Sequence, residues 1–182
     1  MRRVLFLILL LLPLYSFAQG NNGTVDNCAP IKQGKVCYSD QESIDGASKQ
    51  KIYQAIRAWA KENYGKDYFI SNMSEDKKNS TIFCSSKIEL LINDKDSTVM
   101  KYKMHIKCFD NSYQVEINDI AYTYEVDGKQ KSIPAEKVIS KNGKANKVSS
   151  IKDPVAFCNA TFFFVEGVFS DIHNAAKDAL KK

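Results

Sequence analysis

The sequence predicts an α+β domain: an antiparallel β-meander with one helix after the first strand and a long C-terminal helix packed on the same sheet face. Three observations predict it. Residues 81–126 fall into three stretches of alternating apolar and polar side chains with short polar breaks, the period of half-buried antiparallel strands. A stripe at helical spacing follows Ser48, and a second, longer one runs from Asp153-Pro154 to the C-terminus. The expected order is β-α-β(3–4)-α.

Met1-Arg2-Arg3, an apolar run from Val4 to Tyr15 and Ser16-Phe17-Ala18 before Gln19 have the charge, hydrophobicity and small-residue pattern of a cleaved signal peptide. The apolar run is too short to span a bilayer, so no transmembrane segment is expected after cleavage. Cys28 is too far from the run to be a lipoprotein cysteine. Removing residues 1–18 from a chain of 182 leaves 164, enough for one domain. The formal charge of +5 counts Arg2 and Arg3 and falls to +3 without them, too balanced to argue for nucleic acid. The expectation is an exported, soluble chain, periplasmic or secreted.

Residues 19–34 are small and polar, with Pro30 and several glycines, and read as a flexible lead-in to a single domain over 35–182. Lys35–Ser43 alternates as a first strand. Ser48 is placed to cap a helix on which Ile52, Ala55, Ile56, Trp59 and Asn63 share a face, and Gly65 stops it. Trp59 is expected in the core. The polar stretch 64–80 reads as a crossover loop.

In the meander, Ile82, Cys84, Ile88, Leu90 and Ile92 face one side, with Phe83, Ser85, Lys87 and Glu89 on the other. Met100, Tyr102, Met104, Ile106 and Cys108 alternate with Lys101, Lys103, His105 and Lys107. The third strand changes parity between Ile117 and Ile120, which a bulge at Asn118-Asp119 would reconcile. Residues 127–152 carry seven lysines against Asp127 and Glu136, and could hold a fourth strand or a short helix near Ala135–Ile139. Pro154 behind Asp153 then opens the last helix, whose stripe is Val155, Cys158, Phe162, Val165, Phe169, Ile172, Ala176 and Leu180.

Five cysteines in an exported chain allow two disulfides. With Ile92 opposite Met100, Cys84 falls opposite Cys108, within reach of a bridge, so these two form the candidate pair. Either as a bridge or as buried thiols their role is structural. No cysteine spacing matches a zinc site, and phosphate-loop, dinucleotide and calcium motifs are absent, so no metal or cofactor is expected. His105 and His173 are the only histidines, and neither has a marked catalytic partner.

Lys101, Lys103, His105 and Lys107 form a basic stripe on the outward face of the middle strand, flanked by Lys87, Glu89, Gln114 and Glu116. It is the candidate interaction face, suited to a glycan, a lipid headgroup or an acidic protein. Phe162-Phe163-Phe164 is the second candidate, as lining for a hydrophobic ligand held between sheet and helix.

The first strand, the Gly46-x-Ser48-Lys49 helix entry, Ile52-Tyr53, Ala58-Trp59 and the Tyr113–Ile117 strand after an Asp-Asn turn carry a resemblance over residues 35–126. The chain resembles an exported Bacteroidetes domain of unknown function, family 4468, with a TATA-binding-protein-like fold. The resemblance implies that fold and no catalytic residues. It does not imply DNA binding, since a minor-groove binder presents small residues and apolar wedges where this face presents lysines and glutamates. The expected function is therefore non-enzymatic binding of a protein, glycan or lipid partner, with no nucleic acid. A carrier of a hydrophobic ligand is the alternative, and a hydrolase built on His105 or His173 comes after that.

Overall fold

The computed structural model describes residues 27–66, 70–140 and 151–181. The expected signal peptide and residues 19–26 of the lead-in lie outside them. Strands β1 (Ile31–Lys32), β2 (Lys35–Val36) and β3 (Tyr38–Ser43) precede α1 (Lys49–Tyr64). Then come β4 (Ser71–Asp76), β5 (Thr81–Leu91), β6 (Ser97–Phe109), β7 (Ser112–Val126) and β8 (Lys129–Pro134), and finally α2 (Pro154–Lys177). The main sheet is antiparallel, in the order β3-β7-β6-β5-β4, and β8 also pairs with β7. Both helices cover one face, and their apolar stripes form a single core with the inward residues of β5, β6 and β7. This is the predicted α+β arrangement.

Ser48 caps α1 by accepting the Lys51 amide, and the Gly65 amide donates to the Lys61 carbonyl at the other end. The buried face is Ile52, Tyr53, Ile56, Ala60 and Tyr64, so the helix is turned from the expected stripe. Trp59 is only half-buried, and Asn63 is exposed and donates to the Trp59 carbonyl. The rotation follows from two tyrosines whose hydroxyls find partners inside: Tyr64 with the Tyr102 hydroxyl at 2.8 Å, and Tyr53 with Glu75 at 2.8 Å.

The stretch 64–80, expected to be a loop, contains edge strand β4. Its polar composition hid it, because only Met73 is apolar. Its inner face instead offers Ser71, whose hydroxyl donates to the Tyr64 carbonyl, and Glu75, which is held by Arg57 and Tyr53. The 127–152 segment holds both of the structures considered for it: β8, and a single 3-10 turn over Ala135–Lys137. Its residues 141–150 lie outside the described ones.

The candidate Cys84–Cys108 bridge is not formed, and the alternative of two buried thiols holds. Ile88, not Ile92, faces Met100, because the hairpin closes tightly: Leu91 pairs with Ser97, and the Asn93 side chain accepts the amides of Lys95 and Asp96. The slip of four residues keeps every side chain on its predicted face but sets Cys84 opposite Met104, and Cys108 opposite Tyr113 on the next strand. Both thiols are free and buried, and burial pushes each up to about 12.

The disulfide instead joins Cys28 to Cys158, with Cα atoms 5.7 Å apart. Residues 27–34 are therefore not a loose lead-in. Gln33 and Gly34, both with positive φ, make the two-residue turn of a β1–β2 hairpin. The Tyr38 hydroxyl donates to the Cys28 carbonyl, and the bridge ties this hairpin to the first turns of α2.

In β7, Asn118 pairs with Lys103 while Ala121 pairs with Lys101, so Asp119 and Ile120 together face Tyr102. This is the expected bulge, one residue further along than Asn118-Asp119, with Asp119 at φ 50°. It restores inward packing for Ile120 and Tyr122 after Tyr113, Val115 and Ile117. It also divides the strand's outer edge, since β3 pairs with 112–117 and β8 with 121–126.

Asp153 caps α2 through the Ala156 amide at 3.0 Å, with Pro154 in the first turn. Val155 and Leu180, at the ends of the expected stripe, are exposed, whereas Phe157, Cys158, Thr161, Val165, Val168, Phe169, Ile172 and Ala176 are buried. Residues Pro154–Leu180 are long and apolar enough to cross a membrane by length and composition alone. In this fold 39% of their most apolar window is buried, as the stripe packed on the sheet, while Val155 and Phe163 stay exposed.

Two predictions follow from this scaffold. Breaking the 28–158 bridge by reduction or by C28A/C158A should cost up to about 4–5 kcal/mol, given the sequence separation of 130. Urea unfolding with and without reductant measures this, and C84A should leave the reductant effect in place. Arg57 and Tyr53 hold the Glu75 carboxyl down to about 2, below its ordinary 4.5. Its stabilising contribution is thus full above about pH 4.5 and is lost as pH falls toward 2. E75Q should cost roughly 1–2 kcal/mol at pH 7, with the gap to wild type closing in unfolding curves at pH 2.

Candidate functional site

The sheet face opposite the helices is open, and its composition follows from parity. On β6 the outward positions are Lys101, Lys103, His105 and Lys107, which the structure does bring together in one line. Neighbouring strands lay their own outward residues beside them. One cross-strand row reads Ser39, Glu116, His105, Phe83, Ser74, and the next reads Asn118, Lys103, Ser85, Asn72.

His105 is not a plain solvated side chain. Its ring stacks on Phe83 with centroids 4.8 Å apart and planes 2° from parallel, while Phe83 stays 44% exposed. The signal was present in the sequence, because Phe83 carries the wet parity of its strand. This pair forms a ridge between two hollows. One, of about 410 Å³, is lined by Asn72, Ser74, Ser85, Lys103 and Asn118 together with Phe83 and His105. The other, of about 510 Å³, lies toward β3 and includes Lys32, Gln41, Lys107, Gln114 and Glu116.

One carboxylate that was not assigned to this face from the sequence meets the stripe directly. The bulge turns Asp119 outward, where it accepts from Lys103 at 2.8 Å and Lys35 at 2.9 Å. Glu116 accepts from Lys32 of the same hairpin and from Asn118. These bonds hold both carboxyls below their ordinary range. Asp119 balances only one of its two lysines. Lys107 sits 5.4 Å from the Phe109 ring centroid, and Lys87 and Lys101 stand directly opposite each other across β5 and β6.

Among the described residues His105 has a ring partner and no hydrogen-bonded serine, cysteine or carboxylate. His173 Nδ1 lies 3.7 Å from Glu42 Oε2, beyond hydrogen-bond distance, in a small hollow shared with Ser39 and Ser170. Among the described residues no three His, Cys, Asp or Glu side chains converge as metal ligands. Around the aromatic triplet, Phe164 packs edge-on to Tyr102 at 5.3 Å and Phe163 is 63% exposed. A further groove of about 920 Å³ separates α1 from the end of α2, with Trp59, Ala58 and Ala175 on its walls.

The family model for the domain of unknown function DUF4468 with TBP-like fold matches residues 38–123. A crystal structure of a TBP-like protein from Parabacteroides distasonis is 56% identical, with a TM-score of 0.77. The match covers 82% of this chain and 97% of that one. The chain belongs to the DUF4468 family. A DUF4468 family protein from Bacteroides ovatus, at 22% identity and TM-score 0.70 over 82% of this chain and 90% of its own, shares the fold. No curated protein matches the chain. The DUF4468 model spans β3 through most of β7, including the bulge and the outward rows of the open face, and ends before β8 and α2. The family carries no assigned activity, so any function has to be argued from the chemistry of this face.

The charge balance can be tested directly. D119N keeps a side chain that tolerates positive φ and releases both lysines. It should change stability by no more than about 1 kcal/mol, and should move elution from a sulfated-polysaccharide column to higher salt.

Proposed function

We propose that this DUF4468 protein is exported and acts as a non-enzymatic binding protein that meets its partner with the open sheet face. The observation that carries the reading is the Phe83–His105 ridge. An exposed aromatic stack between two hollows, set among lysines, amides and hydroxyls, is more than a solvated sheet needs. The core does not use it, since the helices pack on the other face. Export is supported by the N-terminal charge and hydrophobicity pattern and by the Cys28–Cys158 bridge, which suits an oxidising compartment.

The carrier alternative is less favoured. Phe157 and Phe164 already make edge contacts with Tyr122 and Tyr102, so these rings serve the packing of α2 onto the sheet.

Expression of the full chain in a Bacteroides host should yield an oxidised protein that begins at Gln19 in the periplasm or medium. An unprocessed, reduced protein in the cytoplasm would overturn the export reading. Titration of the isotopically labelled protein with envelope polysaccharide extract should move the amide signals of Ser74, Phe83, Ser85 and His105. Shifts confined to α1 and α2, or none, would overturn the role of the sheet face.

A further inference from the structure

We infer that the hollow over β4, β5 and β6 is a subsite for an acidic sugar, a pyranose ring that carries a carboxylate, such as a uronate unit of a polysaccharide. The inference rests on the sheet-face reading above and names the ligand class for that same site. Its volume of about 410 Å³ is within the range of small-molecule sites.

Three features of the lining select the class. The first is charge: Lys103 contributes to the wall and no carboxylate does. Asp119 answers Lys103 from outside the hollow but is shared with Lys35, so the trio keeps one positive charge. Lys87 and Lys101, the cross-strand pair next to Ser85 and Lys103, lie outside the lining and add like charges beside it, with Glu89 on the same face of β5. The second is the exposed Phe83 ring, which stacks on His105 with one face and, beside Asn72 and Lys103, offers an apolar surface that fits the C–H face of a sugar better than a simple inorganic anion. The third is hydrogen-bonding capacity. Asn72, Ser74 and Ser85 have side-chain donors and acceptors spaced along two adjacent strands, suited to ring hydroxyls.

A single-stranded nucleic acid would also use aromatics and lysines, but it needs successive stacking platforms and a continuous cationic track. Among the described residues this face has one stacked aromatic pair, with Phe109 apart from it beside Lys107, and Glu116 and Asp119 interrupt the lysines.

The test uses the full processed chain, trigalacturonate as probe and its methyl ester as the neutral counterpart, followed by amide shifts and calorimetry. Inorganic phosphate and an oligothymidylate serve as rival ligands. Trigalacturonate should bind saturably and at least fivefold more tightly than the ester, with shifts at Asn72, Phe83 and Ser85. F83A should weaken binding about tenfold and K103M about fivefold. F83Y, which keeps the ring, should recover most of the binding that F83A loses, and amide-signal dispersion checks that each variant is folded. Equal binding of acid and ester, indifference to both F83A and K103M, or tighter binding of phosphate or oligothymidylate at the same residues would overturn the proposal. If no sugar arm binds while envelope extract still shifts the face, the ligand class fails and the broader reading survives. If neither shifts the face, both fail.

Discussion

One extra residue in β7 reconciles two demands that a regular strand of this length could not meet together. Tyr113, Val115 and Ile117 must face the helices, and so must Ile120 and Tyr122, although the two sets differ in parity. The bulge between Asn118 and Ala121 satisfies both, and the geometry of the sheet follows from it. β3 and β8 can share one edge because the strand is divided there. The same residue that absorbs the positive φ, Asp119, is turned onto the open face, where it collects lysines from β2 and β6. A packing requirement in the core thereby sets the electrostatics of the opposite surface.

Buried tyrosines play the complementary part beneath the sheet. Each brings a large apolar ring and a hydroxyl that needs a partner once buried. Tyr64 meets Tyr102, and Tyr122 meets Thr161, which also donates to the Phe157 carbonyl one turn back on α2. These contacts fix the rotation and height of each helix more narrowly than apolar packing alone would. Tyr113 is the exception, its hydroxyl buried without a hydrogen-bond partner among the described residues. The Cys28–Cys158 bridge then fastens the N-terminal hairpin over the start of α2, and that hairpin supplies Lys32 and Lys35 to the open face.

Much of this was legible from local pattern. Strand parity is a property of each strand alone, so the inward and outward residues of β5, β6 and β7 could be assigned without knowing which residue pairs with which. The helix caps at Ser48 and Asp153 were equally readable, because a cap is satisfied within one turn. The parity change in β7 announced its own bulge. β4 escaped because it lies at an edge and turns inward a buried serine and a half-buried, paired glutamate, with Met73 its one apolar residue.

The sequence by itself determined the α+β class, the face to which each meander residue belongs and the basic character of the outward stripe, since all three depend on periodicity within a segment. Only the tertiary structure decided the hairpin register, and with it that Cys84 and Cys108 never meet while Cys28 and Cys158 do. It also decided the rotation of α1, the stacking of Phe83 on His105 and the capture of two lysines by Asp119. These depend on distances between segments, and a four-residue slip in one turn is invisible to a pattern of period two.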